Sequence, residues 1–285
     1  MSFLLLTSLL TSMVSALPAS TLANDTMTEI IWDTNSAIDI DSGPSPRDET
    51  GPAKEDLEPD NSIVGGYRAR QGEFPTTISL RNFGAHVCGA SLINSNTALT
   101  AAHCVDMGGS FSVAAGTNSW QFGGARSSVS QIIIHSGYVA ETFDNDFAIL
   151  KLTTRIPQTG LITYARLPPA GSDPDHNTPA VVAGCHVPRS TTTRAARSAS
   201  ARGSPEHCAN LVFPSLFTEN MICAGFPEGG RDVCNGDSGG PLYNLFTGET
   251  IGVVSWGRNG CAAPGNPGVY ARVRRAISFI QFWSG

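Results

Sequence analysis

Three short runs of the sequence carry residue types that could support nucleophilic chemistry. They are LTAAHC (99–104), DNDFAIL (144–150) and NGDSGGP (235–241). A serine hydroxyl is a poor nucleophile at neutral pH, but a histidine can accept its proton while a carboxylate orients the imidazole. Taken alone, each run also has a plainer interpretation: a structural histidine, a turn before a strand, or a tight glycine loop. No second ligand stands at zinc-like spacing from His103, which disfavours a metal site there.

Three further runs accompany these along the chain. They are IVGG (63–66), SWG (255–257) and PGVY (267–270). Together the six runs resemble the trypsin-like branch of the chymotrypsin-like serine protease family, including its secreted microbial trypsins, and the order histidine, aspartate, serine is that of chymotrypsin. The resemblance covers nearly all of 63–285. It implies a serine endopeptidase with an all-β fold of two six-stranded antiparallel β-barrels and a short C-terminal helix.

The resemblance assigns the catalytic roles. Ser238 is the expected nucleophile, His103 the base and later the acid toward the leaving amine, and Asp146 the acceptor of the other ring N–H. Asp144 is the rival carboxylate, and we prefer Asp146 because it adjoins the apolar run, as in the family motif. The backbone amides of Gly236 and Ser238 are expected to form the oxyanion hole, where one donor contributes about 3–4 kcal/mol.

The resemblance also implies the primary specificity. Asp232 lies six residues before Ser238, where trypsin-like members carry the acid at the base of the pocket. An acid there predicts cleavage after Arg and Lys, whereas the alternative is a solvated loop acid. Ser255 is expected to hydrogen-bond Asp146, the alternative being an ordinary strand serine. The other residues expected to line the pocket are Trp256, Gly257 and Gly268.

Activation is expected to depend on Asp237. A buried carboxylate needs a partner, and in the family this partner is the α-ammonium group released by cleavage, here that of Ile63. We therefore expect an inactive precursor that is activated by cleavage between Ser62 and Ile63. Because Ser62 is not basic, self-activation by a trypsin-like pocket is not expected.

The seven cysteines fit a secreted enzyme. The pairs implied by the resemblance are Cys88–Cys104, Cys208–Cys223 and Cys234–Cys261. Cys185 is left over, at the position where the family usually has the tryptophan of a Gly-Trp-Gly triplet. The loop 116–130, the counterpart of the calcium loop of some vertebrate trypsins, contains no Asp or Glu. We expect no metal site and no cofactor.

The N-terminal part of the chain differs from the rest in composition. Residues 1–16 are apolar and end in small residues, a pattern that indicates a signal peptide although no basic residue precedes the apolar core; a buried helix is the alternative. Residues 17–62 carry eleven acidic against two basic residues, a net charge of −9, and the sequon at Asn24. This segment is interpreted as an acidic propeptide. The protein is therefore expected to be secreted and extracellular.

From Ile63 onward, short apolar runs alternate with turn residues, and helical periodicity appears only at 274–282. This pattern indicates a sandwich or barrel with one terminal helix. We expect a monomer that acts on proteins or peptides, with protein protease inhibitors as further partners, and with neither nucleic acid nor membrane. The rival functions are an inactive homologue that serves as a binding module, and a serine esterase or acyltransferase. The first usually lacks a triad member or the pocket acid, and the second has no support in the sequence.

One segment departs from the family pattern. Residues 185–206 (CHVPRSTTTRAARSASARGSPE) include one large aliphatic residue, where relatives place a Gly-Trp-Gly loop and a strand of the second barrel. Without that strand the barrel would have two unpaired edges. We interpret the segment as a reading-frame slip or a misjoined intron in the deduced sequence. The alternative is a genuine flexible insertion in a protein that is poorly folded or inactive.

Overall fold

A computed structural model describes residues 63–119, 122–185, 193–202, 208, 215–258 and 260–285. The predicted signal peptide, propeptide and sequon all lie outside the described residues. Within these residues nearly every regular element is a strand, and the predicted all-β class is confirmed. No helix among the described residues is long and apolar enough to span a membrane.

Six strands form a closed barrel, the first barrel, in the order β2-β3-β4-β7-β6-β5. The strands are β2 (Thr77–Asn82), β3 (Ala85–Asn94), β4 (Thr97–Thr100), β5 (Phe111–Ala115), β6 (Ala125–Ile134) and β7 (Ala148–Leu152). Its interior holds fully buried aliphatic side chains such as Leu80, Leu92, Val113 and Leu150. Side chains alternate across each strand, so a barrel of this size fills its interior with one face of every strand.

A second sheet has the order β1-β9-β10-β13-β12-β11-β8, and β8 also pairs with β9, so the sheet curls back on itself. We call it the second barrel. Its strands are β1 (Tyr67–Arg68), β8 (Thr178–Cys185), β9 (Thr193–Arg202), β10 (Met221–Gly225), β11 (Pro241–Asn244), β12 (Thr250–Trp256) and β13 (Gly268–Arg272). Ile63 packs in its core with Val182, Ile222 and Leu242.

A third cluster joins the two barrels and the C-terminal helix α1 (Ile277–Ser284). Phe147 and Ile149 come from the first barrel, Val253 from the second, and Ile280 from α1, and all are fully buried. The predicted terminal helix is therefore confirmed. Its apolar face closes the seam between the barrels.

The segment 185–206, which departs from the family's sequence pattern, includes β9. The backbone at 193–202 pairs with β8 along its length and with β10 at its end, so the second barrel is not missing a strand. A ladder needs only backbone N–H and C=O groups, which small residues supply as well as large ones. Residues 186–192 and 203–206 lie outside the described part. The frame-slip or splice hypothesis stays a prediction.

The three predicted disulfides are present. Cys88–Cys104 joins β3 to the short 3₁₀-helix Ala102–Cys104, Cys208–Cys223 ties the chain before β10 to that strand, and Cys234–Cys261 joins two loops of the second barrel. Cross-links of this kind stabilise a fold by about 2–5 kcal/mol each.

Candidate active site

The first barrel brings His103 and Asp146 together. His103 follows β4 and Asp146 precedes β7, and these strands pair with Thr100 opposite Ala148. The imidazole Nδ1 lies 2.7 Å from Asp146 Oδ2, and the backbone N–H of His103 donates to Oδ1 at 2.9 Å. Because Nδ1 faces the carboxylate, Nε2 is the ring nitrogen left for proton exchange.

Asp146 is fully buried and has a further donor from the second barrel. The hydroxyl of Ser255, on β12, donates to Asp146 Oδ2 at 2.5 Å. Three hydrogen bonds therefore fix the carboxylate from two sides, as a buried charge requires. The rival Asp144 bonds instead to side chains of Asn145, Thr218 and Asn220.

The loop that carries Ser238 packs directly on the first barrel. The N–H of Gly89, on β3, donates to the carbonyl of Ser238 at 2.7 Å. A Cβ built on Gly239 would lie 2.2 Å from Thr100 Oγ1 and 2.4 Å from the Gly89 carbonyl, at a φ of +79°. Only glycine fits such a contact. The loop thus sits against the residues that immediately precede His103.

A contact that sequence reasoning missed holds the loop from the other side. Ser79 Oγ lies 2.8 Å from His86 Nδ1, and His86 Nε2 lies 3.1 Å from the carbonyl of Gly236. If the serine hydroxyl donates to Nδ1, the ring donates from Nε2 and fixes the peptide that follows Gly236. A strand histidine two residues before Cys88 carries no motif of its own, so only the fold reveals this role.

Asp232 is buried beside Gly268. The carboxylate is 6% exposed and accepts N–H bonds from Val233 at 2.8 Å and Ala262 at 3.2 Å. Burial, only partly offset by these two amides, raises the pKa of Asp232 to about 6. A Cβ on Gly268 would lie 2.8 Å from Asp232 Oδ1, whereas one on Gly257 would meet nothing within 4 Å. The access of a cationic side chain to this acid stays a prediction.

Trp256 is the remaining residue of the predicted pocket. It ends β12 and packs against a buried cluster that includes Phe217, Met221 and Val269. Its position places the tryptophan between Ser255, which bonds Asp146, and the open position at Gly257. The role of Trp256 and Gly257 in lining a substrate pocket stays a prediction.

Asp237 is fully buried, and only one of its two carboxylate oxygens accepts a described hydrogen bond. Its Oδ2 accepts the N–H of Cys234 at 2.9 Å, but its Oδ1 has no hydrogen-bond partner among the residues that the structure describes. Burial raises the pKa of Asp237 to about 7, and the nearby Asp232 adds to the shift. A group that supplied a positive donor here would stabilise the charged form.

The segment that begins at Ile63 enters the same region. The Ile63 side chain is 2% exposed, in the core of the second barrel. Val64 donates its N–H to the Asp232 carbonyl at 2.9 Å and accepts from the Asp232 N–H at 3.2 Å. This segment therefore pairs with the backbone of Asp232, the acid predicted to determine specificity.

The described residues contain one group with metal-like spacing, formed by Cys88, His103 and Cys104. Both sulfurs belong to a disulfide, so neither can act as a thiolate ligand. The group is thus accounted for by the cross-link beside the imidazole. The expected absence of calcium at 116–130 stays a prediction.

The fold, the pairing of a histidine with a buried carboxylate, and the serine in a glycine-rich loop are those of a serine-type endopeptidase. The family model named Trypsin matches residues 63–280, and the chain belongs to the trypsin family.

Individual relatives agree. The chain is 37% identical to rat cationic trypsin-3 over 231 residues (78% of this chain, 89% of the relative). It is 36% identical to chicken trypsin I-P1 over 239 residues (79% and 90%), and 38% identical to Atlantic salmon trypsin-2 over 233 residues (75% and 91%). These relatives are animal proteins, so the expected likeness to microbial trypsins is not confirmed by them.

Proposed function

We propose that the enzyme cleaves peptide bonds after Arg and Lys with Ser238, His103 and Asp146 as its catalytic residues. The observation that carries the specificity is the buried Asp232 carboxylate in close contact with Gly268, where a side chain would not fit. A guanidinium or ammonium group that reaches this carboxylate meets an acid whose described hydrogen bonds come from two backbone amides. The pairing is strong in such a low-dielectric site. The names of the trypsin relatives agree with this choice of substrate.

The proposed chemistry is acyl transfer through these three residues. Ser238 Oγ attacks the carbonyl carbon of the substrate while His103 Nε2 takes the hydroxyl proton. Asp146 holds the imidazole through Nδ1 and stabilises the imidazolium. The amides of Gly236 and Ser238 then donate to the oxyanion. His103 returns the proton to the leaving amine, which leaves an acyl-enzyme that water hydrolyses in a second, equivalent step.

The rest of the proposal concerns the precursor. Residues 1–16 act as a signal peptide, 17–62 as a propeptide, and 63–285 as the secreted protease. Cleavage of the Ser62–Ile63 bond by another protease frees an α-ammonium group that pairs with Asp237. The burial of Ile63 and the unpartnered Oδ1 of Asp237 support this step. The mature enzyme is a monomer that meets protein substrates and protein inhibitors.

Expression of the full chain in a secreting host tests the proposal. The secreted form should begin at Ile63 and be titrated by an organophosphonate. It should hydrolyse Arg and Lys amides faster than Phe or Ala amides. Ser238→Ala should abolish both titration and turnover, whereas Asp232→Ser should remove the basic preference and leave the serine titratable.

The rival functions predict other results in the same experiment. A binding module would neither titrate nor turn over any substrate. An esterase would be titrated by the phosphonate but would cleave esters and no amides. Faster turnover of Phe amides by the unaltered enzyme would refute the role of Asp232.

A further inference from the structure

Asp144 is bound by side chains from both barrels. Its Oδ1 accepts the hydroxyl of Thr218 at 2.5 Å and the amide of Asn220 at 3.0 Å, and its Oδ2 accepts from Asn220 at 3.2 Å and from Asn145 at 3.0 Å. Thr218 and Asn220 belong to the segment before β10 in the second barrel. We call these contacts the Asp144 clamp.

The clamp residues of the second barrel are hydrogen-bonded to its strand β13. The carbonyl of Asn220 accepts the N–H of Arg272, on β13, at 2.8 Å, and the Arg272 guanidinium donates to the carbonyl of Glu219 at 3.1 Å. The same guanidinium donates two bonds to Asp173, at 2.9 and 2.7 Å. The partners of Asp144 are therefore fixed to a central strand rather than to a free loop.

The clamp holds a backbone segment that is costly to form. Phe143 and Asn145, on either side of Asp144, have φ values of +56° and +51°, in the left-handed region. A residue other than glycine costs about 1–3 kcal/mol in a sparsely populated conformation and persists there only when its surroundings impose it. The described contacts that impose it include the four hydrogen bonds to the Asp144 carboxylate and the bond from the Val139 N–H to the Asp144 carbonyl, at 3.0 Å.

Both ends of this segment touch the imidazole. The Phe143 ring meets the His103 ring edge to face, with centroids 5.5 Å apart and an interplanar angle of 86°. Asp146 bonds His103 Nδ1 at 2.7 Å from the other end of the same four residues. A shift in the turn at Asp144 would thus move both groups that orient the imidazole.

We propose that Asp144 is a positioning residue for catalysis, which holds Phe143 and Asp146 in register on His103 by bonding to Thr218 and Asn220 of the second barrel. The inference rests on the proposed roles of His103, Asp146 and Ser238. The new point is that the geometry of His103 and Asp146 depends on the Asp144 carboxylate, which does not itself contact the imidazole.

Asp144→Ala removes every acceptor of the clamp, and Asn220→Ala removes the amide donor that the second barrel supplies. Because a misplacement near 1 Å can cost about 100-fold, we expect Asp144→Ala to lower kcat per titrated site about 10- to 100-fold. KM for an Arg amide should stay within about twofold, since Asp232 lies on another loop. Asn220→Ala should lower kcat less, and the double variant should be no worse than Asp144→Ala alone.

Glu249→Ala is the control. Glu249 accepts the Thr247 hydroxyl at 3.0 Å in the turn between β11 and β12, and it has no described contact with the 143–146 segment, Thr218 or Asn220. This variant should leave kcat per titrated site unchanged. The low-field proton resonance of the His103–Asp146 hydrogen bond should shift or broaden in Asp144→Ala and stay in place in Glu249→Ala.

Each outcome decides one of the two proposals. An Asp144→Ala enzyme with unchanged kcat per titrated site and an unchanged resonance would overturn the positioning role, whatever its Tm. If Asp144→Ala does not fold, Asn220→Ala and Thr218→Ala decide instead: a lowered kcat with unchanged titratable fraction supports the clamp, and a wild-type kcat refutes it. Failure of the unaltered enzyme to titrate at all would refute the proposed function.

Discussion

Replacing Asp237 by asparagine should stabilise the uncleaved chain at pH 8, although the same change should inactivate the cleaved enzyme. In the uncleaved chain the nitrogen of Ile63 is a neutral amide, so at pH 8 we expect the buried Asp237 carboxylate to be charged and to have no counter-ion. In the cleaved enzyme the proposed α-ammonium group of Ile63 supplies that counter-ion. One substitution should therefore have opposite effects on the two forms.

The magnitude follows from the pKa of Asp237, which burial raises to about 7. An unfolded aspartate titrates near 3.9, so the difference is about 3 units, or about 4 kcal/mol at 1.36 kcal/mol per unit. Between these two pKa values the folded state binds more protons than the unfolded state. The free energy of unfolding of the uncleaved chain therefore falls as pH rises from about 4 to about 7.

Asparagine removes this dependence but adds a cost of its own. The amide nitrogen would replace Oδ1, which has no partner, and an unsatisfied buried donor costs about 1–3 kcal/mol. That cost is the same at every pH. The stability difference between Asp237→Asn and the unaltered chain should consequently rise by about 4 kcal/mol from pH 4 to pH 8, and be positive at pH 8.

Urea unfolding of both uncleaved forms at pH 4, 6 and 8 measures this difference. The cleaved forms provide the comparison, because there the variant should be less stable than the unaltered enzyme at pH 7 and lack activity. A difference that does not change with pH would show that Asp237 is neutral or paired in the uncleaved chain. Equal destabilisation of both forms would refute the counter-ion argument.

Three further predictions concern the pocket, the activation bond and the departing segment. Burial raises the pKa of Asp232 to about 6, so a larger fraction of this carboxyl is charged at pH 7 than at pH 5. A small amidinium should therefore bind the His103→Ala variant about tenfold more weakly at pH 5 than at pH 7, and a Kd that is constant over this range would count against Asp232 as its partner. Ser62→Arg should make the precursor process itself before Ile63, with a lag that shortens as enzyme concentration rises, whereas the unaltered precursor should need added protease; a variant that still waits for added protease would contradict the basic specificity. Mass mapping of the natural secreted protein should fail to find the peptide 185–189, and its recovery from a fully active enzyme would end the frame-slip hypothesis.

The sequence was most informative where the chemistry needs a local backbone shape. The glycines around Ser238 mark a loop that packs backbone to backbone on the first barrel, and the run of apolar residues after Asp146 marks a buried strand. Because these requirements involve only a few neighbouring residues, they appear in the sequence as short motifs. The hydrogen bond from Ser255 to Asp146, expected from the resemblance, is present at 2.5 Å.

Contacts between distant segments could not be predicted in this way. His86 bonds a carbonyl 150 positions away, and the partners of Asp144 lie 74 and 76 positions away. Nothing near either residue in the sequence differs from an ordinary strand histidine or turn aspartate. The strand β9 was missed for another reason: residues 193–202 lack the alternation of large side chains by which a strand is recognised, yet their backbone completes the ladder between β8 and β10.

The distance between the two halves of the site is set by glycine contacts rather than by catalytic side chains. A Cβ on Gly89 would lie 2.8 Å from Gly240 Cα, and one on Gly240 would lie 2.8 Å from the carbonyl of Ala183. The loop that carries Ser238 therefore lies almost in backbone contact with two strands, β3 at Gly89 and β8 at Ala183. Because this approach positions Ser238 relative to β3, side-chain changes inside either barrel can alter stability without changing the spacing of the site. The polar contacts of His86 and Asp144 then have only to orient groups that the backbone has already brought together.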